Sequence, residues 1–439
     1  MKIIHVLNQF LPHQTAGTEV YVWALTKALQ KDGNEVKVLI PNYTSSISEY
    51  YYYDGILVYQ YAEPTEVDRQ LIMGFREPDG LSEFKTFLNE EKPDIIHFHE
   101  LAGSNGIGMA HMREAKKTGA KIVMTFHLAG YTCATGTLMY KGSIPCDGKI
   151  SISKCSACYL HKKGLENTAD TVAGISKLLL RIGIDSSKLG NSLGTMLGTA
   201  NIIYRKQQNL NEIMQICQKV VCITDWYKNV LEKNDLDRTR IKLIKQGLPI
   251  PVNLGQIKSE KNKNLRLMYL GRITRIKGIE MLINVMKILK DENIELHIFG
   301  NSDGSNLEED LKKRTSKDLN IFWRGGIHQT CVLEEMSKFD LLCLCSNVSE
   351  MSPLVIQEAR AAELTVLASN VLGCVEQIEH DKNGLLFESN NKDSLLYQIK
   401  RVLSNRQLLN RLKKNQTKPR SFSTIATEYS KLYEKSIQL

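Results

Sequence analysis

The strongest constraint on this chain is a rhythm. Short, wholly apolar runs alternate with longer amphipathic stretches, and the alternation begins twice. Ile3–Leu7 reads as a buried strand, followed by a Gly-containing loop and a helix over Glu19–Gln30, where Val20, Trp23, Ala24 and Ala28 recur with helical spacing. Gly33 ends that helix, and Glu35–Ile40 reads as a second strand. Tyr50–Tyr53 and Ile56–Tyr61, divided by Asp54-Gly55, read as a hairpin. Further strands are expected at Asp94–His97, Lys121–Phe126, Val220–Thr224 and Ile241–Ile244, with helices at Leu81–Glu91, Ile107–Lys117 and Asp225–Glu232. Residues 128–218 break the rhythm. A polar run, Lys258–Asn264, reads as a linker. After it, strands are expected at Leu267–Leu270, Glu295–Phe299, Ile321–Trp323, Leu341–Leu344 and Thr365–Ala368. Helices are expected at Ile279–Lys290, Leu307–Lys317, Cys331–Lys338, Pro353–Ala362 and Cys374–Glu379. Strands alternating with helices imply an α/β protein with mostly parallel sheets. A length of 439 residues fits two or three domains, and the reading is two Rossmann-like lobes in sequence, with ligands at the carboxyl ends of the strands.

Composition narrows the function classes. Ten Pro and 29 Gly exclude collagen and long disordered linkers. A net charge of +9, present in both halves rather than in a tail, suits an anionic ligand or a membrane surface and does not by itself indicate nucleic acid. His5 interrupts the first apolar run, which therefore does not read as a signal peptide. No run reaches 18 apolar residues. The expectation is a cytoplasmic protein with reduced thiols.

Two segments carry chemistry. Ser346-Asn347-Val348-Ser349-Glu350-Met351-Ser352-Pro353-Leu354 runs from a buried strand into a helix that continues through Glu358. Ser352 suits the N-cap and Pro353 the first helical position. The helix then presents free N–H groups and a positive dipole end, which suit a phosphate. Glu350, just before it, and Glu358, inside it, suit sugar hydroxyls better than phosphate. The plain alternative is a capped surface helix with two solvated carboxylates. In Leu267–Gly278, Arg272 and Lys277 lie just past a strand end, where a diphosphate can be held; the alternative is an exposed basic loop.

In this order, strand-Gly271-Arg272-x4-Lys277-Gly278 and Glu350-x7-Glu358 resemble the retaining glycosyltransferases of family 4 (glycosyl transferases group 1), which have the GT-B fold. Asn370–Ile378 and Asn383–Phe387 match as well. The likeness covers 265–390 and is thinner in the first half. It implies two Rossmann-like lobes facing each other across a cleft: 1–257 on the acceptor side with a Cys-rich insertion at 128–218, and 265–420 for the nucleotide sugar. The closing helix, about Ser423–Lys435 within 421–439, would cross back to the first lobe. The resemblance implies a hexosyltransferase-type enzyme. It would move a sugar from a nucleotide diphosphate sugar to a hydroxyl acceptor, with retention and without a required cofactor, in making a surface polysaccharide or glycolipid. Arg272 and Lys277 would hold the diphosphate, Glu350 the donor-sugar hydroxyls and Glu358 the ribose. Backbone amides over Met351, Ser352, Pro353 and Leu354 would meet the distal phosphate. Gly17 matches the first-lobe Gly loop, which here reads Ala16-Gly17. Glu350-Met351-Ser352-Pro353 departs from the family's Glu-Gly-aromatic-Pro. His127, closing the strand Lys121–Phe126, matches the family's His near the reacting sugar, with His99 as the alternative. His127, Glu350, Arg272 and Lys277 are thus the candidate catalytic set. The rival readings are an epimerase or phosphorylase-like enzyme of the same fold, or a non-catalytic carbohydrate- or nucleic-acid-binding protein.

Cys133, Cys146, Cys155 and Cys158 lie in the segment after His127, the last pair as Cys-x2-Cys. They suit a structural Zn²⁺, less well an iron–sulfur cluster, or else they are free thiols or disulfides. Residues 174–204 carry Leu178-Leu179-Leu180, Ile182, Ile184, Leu189 and Leu193 among Lys177, Arg181 and Lys188. The favoured reading is a helical insertion packed on its own lobe. The other is an amphipathic surface for the bilayer, at the inner face of the membrane, or for a lipid-linked acceptor.

Overall fold

The computed structural model describes residues 1–63, 69–102, 106–249, 263–302 and 304–438. The chain forms two compact units, Met1–Pro249 with Phe422–Leu439, and Ile250–Ser421. Most of the expected linker lies outside the described residues; only Lys263 and Asn264 fall within them.

In the first unit the strands are β1 (Lys2–Val6), β2 (Glu35–Asn42), β3 (Glu49–Tyr53), β4 (Ile56–Ala62), β5 (Ile95–His99), β6 (Lys121–Phe126), β7 (Met139–Tyr140), β8 (Ile144–Pro145), β9 (Lys219–Cys222) and β10 (Ile241–Leu243). Eight of them form one sheet in the order β10-β9-β6-β5-β1-β2-β4-β3, while β7 and β8 form a separate ribbon. Every pairing in the large sheet is parallel except β3 with β4. Ile3, Ile4, His5 and Val6 are all buried. That is why the strand reads as a continuous apolar run rather than an alternating one: a parallel sheet is covered on both faces.

The terminal helix Phe422–Gln438 belongs to this unit. Phe422, Ile425, Ala426, Tyr429, Leu432 and Tyr433 are its buried stripe, spaced for one helix face. Tyr429 donates or accepts at Thr125 Oγ1 over 2.9 Å and accepts from Tyr21 at 3.0 Å.

The second unit holds β11 (Leu265–Leu270), β12 (Ile294–Phe299), β13 (Ile321–Gly325), β14 (Leu341–Leu344), β15 (Thr365–Ser369) and β16 (Leu385–Phe387). They form an all-parallel sheet in the order β13-β12-β11-β14-β15-β16. Apolar clusters cover it on both faces, one built on Leu282, Ile283 and Met286, the other on Ile356, Ala359 and Val371.

Three local expectations need correction. The helix after β14 is Leu354–Ala361, with Pro353 rather than Ser352 at its N-cap. Residues 374–377 form turns instead of a helix, and Ile378 and Glu379 are irregular; Gly373, at φ +86°, gives the stretch a left-handed backbone near its start. The stretch 331–338 is a 3₁₀ turn, Gln329–Cys331, leading into a short helix, Val332–Met336.

Candidate active site

The second sheet changes direction of assembly between β11 and β14, with β12 and β13 on one side and β15 and β16 on the other. At such a switch point the two connections leave in opposite directions, and a crevice opens beyond the carboxyl ends. The loops Gly271–Gly278 and Cys345–Pro353 meet there. The Asn347 N–H donates to the Ile276 carbonyl at 2.8 Å, and its side-chain amide to the Arg275 carbonyl at 3.2 Å. Gly278 sits at φ +68°, and a Cβ there would overlap the Cys345 carbonyl oxygen. This crossing of two backbones therefore demands glycine.

Glu350 occupies the crossing. Its carboxylate accepts from the Ser346 hydroxyl at 2.5 Å and pairs with the Lys277 ammonium. Burial alone would push its pKa up. Lys277, the Ser346 hydrogen bond and Arg272 outweigh that, and the carboxyl is held below its usual range. Arg272 is exposed and forms no ion pair with another described residue. The two cations thus differ in state: Lys277 is engaged by Glu350, and Arg272 remains open to an anion. Pro353 leaves the helix Leu354–Ala361 without a side-chain cap; the Ile356 N–H turns back to the Pro353 carbonyl at 3.2 Å, and the N–H groups of Leu354 and Val355 face a positive helix end that suits a ligand's anion. Met351 is buried beneath this loop. Inside the helix Glu358 is buried and accepts from the Gln329 amide at 2.6 Å. Burial, partly offset by that bond, pushes its pKa up to about 7.

The first sheet has its own switch point, between β1 and β5. The loop after β1 leads into the helix Gly17–Lys31, and Gly17 is its first residue, exposed and without a side-chain cap. One turn on, Tyr21 meets the His127 ring edge-on at 4.9 Å. His127 follows β6. Its N–H and that of Leu128 both donate to Glu100 Oε2 at 2.9 Å. Glu100 holds a left-handed backbone, φ +71°, which is strained for a side-chain-bearing residue. Burial pushes the Glu100 carboxyl up to about 7 against the pull of those two amides. His99 Nδ1 lies 3.2 Å from His127 Nε2, and His5 Nδ1 lies 2.7 Å from His99 Nε2. His97 bridges Tyr433 Oη and Thr125 Oγ1, both at 2.7 Å. Burial lowers the pKa of all four histidines, to about 3 for His5 and His127, so they are neutral. His127 and His99 are therefore not alternatives but neighbours in one chain. Sequence reasoning missed Tyr21, Glu100 and His5. The sequence does place Glu100 directly after His97-Phe98-His99, but the pairing of His5 with His97 is a matter of strand register.

The four cysteines line one small cavity with Thr135, Met139, Tyr140 and Lys154. All are free thiols, and among the described residues no three of them bring their sulfurs within 4.8 Å of one another. Burial pushes Cys155 up to about 11. This geometry gives no support to a zinc site, which needs gathered thiolates.

The 174–204 segment is helical and packs within its own unit, as the favoured reading has it, with Ala173 and Met196 against Ala157 and Leu160, but it also leaves an apolar face open. The helix Ala169–Arg181 and the turns after it bury Ala169, Ala173 and Ser176 but leave Ile175, Leu178, Ile182, Ile184, Leu189 and Leu193 exposed by 47–62%. No described helix is long and apolar enough to cross a membrane.

The family model for Glycosyl transferases group 1 matches residues 254–418, and that for Glycosyltransferase Family 4 matches residues 15–168. An uncharacterised glycosyltransferase of Methanocaldococcus jannaschii is 23% identical, covering 100% of this chain and 99% of its own. The O-antigen biosynthesis glycosyltransferase WbnH of Escherichia coli is 32% identical over 198 residues, 42% of this chain and 55% of that protein. Among solved structures, Anabaena HepE in complex with UDP-glucose superposes with a TM-score of 0.61 at 13% identity, covering 99% of this chain and 100% of that one. At that identity the likeness is one of fold. Matched by one model in each unit and by structures of this architecture along its length, the chain belongs to the group 1, family 4 glycosyltransferases, hexosyltransferase-type enzymes of the GT-B fold.

Proposed function

We propose that the chain transfers a sugar, with retention, from a nucleotide diphosphate sugar to a hydroxyl acceptor in surface polysaccharide or glycolipid assembly. The observation that carries this reading is the second unit's switch point, where an open cation, an ion-paired carboxylate, an uncapped helix N-terminus and a buried carboxyl lie on two crossing loops and the helix that follows. Arg272, Lys277 and the helix end hold the diphosphate and stabilise its charge as it leaves. Glu350 keeps lone pairs free to accept from donor-sugar hydroxyls, and Glu358 accepts from the ribose. In the reaction the anomeric carbon–phosphate oxygen bond breaks, the bond to the acceptor oxygen forms on the same face, and the acceptor's proton passes to the leaving phosphate. His127 lies beside the reacting sugar. This reading asks for no metal and no other cofactor. UDP-glucose in the HepE complex and the O-antigen role named for WbnH support the donor and pathway classes.

The exposed apolar face in 175–193, flanked by Lys177, Arg181 and Lys188, supports a peripheral contact with the cytoplasmic face of the membrane, and so a lipid-linked acceptor.

A panel of nucleotide sugars tests the reaction. The expected result is release of nucleoside diphosphate from one donor class, and a product whose anomeric configuration by NMR matches the donor's. An inverted product overturns retention. Binding without turnover, with any acceptor offered, favours the non-catalytic reading.

A further inference from the structure

The chain His5–His99–His127 has only two self-consistent proton arrangements. Each ring is buried and neutral, so each carries one N–H. His99 uses both nitrogens, Nε2 towards His5 and Nδ1 towards His127, so one must donate and the other accept. In the first arrangement His5 Nδ1–H donates to His99 Nε2, and His99 Nδ1–H donates to His127 Nε2. His127 then carries its proton on Nδ1. In the second, every bond is reversed: His127 Nε2–H donates to His99, and His99 Nε2–H donates to His5, whose proton then sits on its own Nε2.

The far end of the chain separates the two. His5 Nε2 is buried and has no hydrogen-bond partner. In the first arrangement it is a bare acceptor. In the second it is a buried N–H donor with no acceptor. Buried orphan donors are rarer in folded proteins than under-satisfied acceptors, because an unmatched N–H forfeits its whole hydration. The first arrangement therefore wins. At the near end, no hydrogen bond to another described residue engages His127 Nδ1, and His127 keeps 6% exposure.

We infer that His5 is a positioning residue: its partnerless Nε2 sets the direction of the whole chain, so that His127 carries its proton on Nδ1 and offers an N–H to an oxygen of the bound sugar. The link to catalysis rests on the proposed place of His127 beside the reacting sugar; the proton arrangement itself does not.

The test is long-range ¹H–¹⁵N correlation on the uniformly ¹⁵N-labelled full chain, with steady-state kinetics on two variants. Protons on Nδ1 of His5, His99 and His127 are expected. A proton on His127 Nε2 overturns the inference. So does zinc retained by the purified protein on His5, His97 and His99, since ligation would consume the lone pairs that the chain uses. His5→Phe keeps a ring but removes the donor. It should lower kcat about tenfold, with the donor KM within about twofold, and should give mixed tautomers at His127. His5→Asn places an amide N–H near the Nδ1 position and should restore most of kcat, which a merely space-filling role for His5 would not require. If His5→Phe keeps both the wild-type kcat and the wild-type tautomer, His5 does not set the direction. Wild-type turnover in His127→Ala would instead refute the place of His127 in the site and leave the proton arrangement standing.

Discussion

At the scale of single residues, the Lys277–Glu350 pair shows how one contact can serve two ends. Glu350 is lowered in pKa only because Lys277, Ser346 and Arg272 outweigh its burial. Removing Lys277 leaves a buried carboxylate short of its main partner, so Lys277→Met should disturb Glu350 as well as the phosphate site. Glu350→Gln frees the ammonium but loses the acceptor for sugar hydroxyls. Each single variant should lower kcat/KM by about 100-fold, the usual cost of losing one transition-state charge contact. The double variant should lose much less than the product of the two. A coupling of about 2 kcal/mol is the expected size for partners in one network. Strict additivity in that cycle would mean that the two side chains act apart. Glu358 offers a second check. Its carboxyl, pushed up to about 7, is partly protonated at neutral pH. Ribose hydroxyls donate to the ionised form, so nucleotide affinity should rise between pH 6 and pH 8. Glu358→Gln should flatten that rise, as read by titration calorimetry.

At the scale of elements, the exposed face in 175–193 makes a prediction of its own. Leu178 and Ile182 are 58% and 62% exposed, and the carboxylate of Asp185 nearby is tied to Arg205 at 2.8 Å. Leu178→Asp with Ile182→Asp should abolish co-sedimentation with vesicles containing anionic phospholipid, while donor hydrolysis stays unchanged. Equal binding of wild type and variant to anionic vesicles would refute the membrane contact. This segment also marks where the sequence stops speaking. Strands were legible because parallel strands are buried on both faces: Ile3–Val6, Leu341–Leu344 and Leu367–Ala368 leave few other readings. The apolar run at 178–184 looks the same on paper, yet most of it faces solvent, because periodicity reports a stripe and not what covers it. Residues 374–378 mislead in a related way. Cys374 and Ile378 have helical spacing and are buried, but they belong to a stretch of turns and irregular backbone that follows the left-handed Gly373. The proposed site residues Arg272, Lys277, Glu350 and Glu358 are legible because each belongs to a segment that runs from a strand end into a helix. Tyr21, Glu100 and His5 are not, since their contacts depend on register and on a strained loop.

At the scale of the whole molecule, buried titratable groups are unequally divided between the two units, and this sets the response to acid. The first unit buries His5, His97, His99, His111 and His127, all with lowered pKa, and three of them lie at about 3. A lowered histidine favours the fold above its unfolded value of about 6.5 and costs stability as pH falls, because the unfolded chain takes the proton first. Glu63 and Glu100, raised to about 7, work the other way: the fold holds their protons between about 4.5 and 7, so their contribution is lost as pH rises. At pH 5.5 five histidines oppose two carboxyls, so the unfolded first unit binds about three more protons than the folded one. Its stability should fall by up to about 4 kcal/mol per pH unit on acidification. In the second unit Glu358 is raised to about 7 and the pKa of His297 is lowered, two effects of opposite sign in place of five histidines acting together. Mild acid should therefore open the first unit while the second stays folded. Hydrogen exchange read by mass spectrometry at pH 7.5 and pH 5.5, corrected for intrinsic rates, measures this directly. Amides of β1, β5 and β6 should lose protection at pH 5.5, and those of β11, β12 and β14 should keep it. Loss in the reverse order would mean that the histidines already carry protons in the folded state, and with that both the neutral chain through His99 and the donor assigned to His127 would fall.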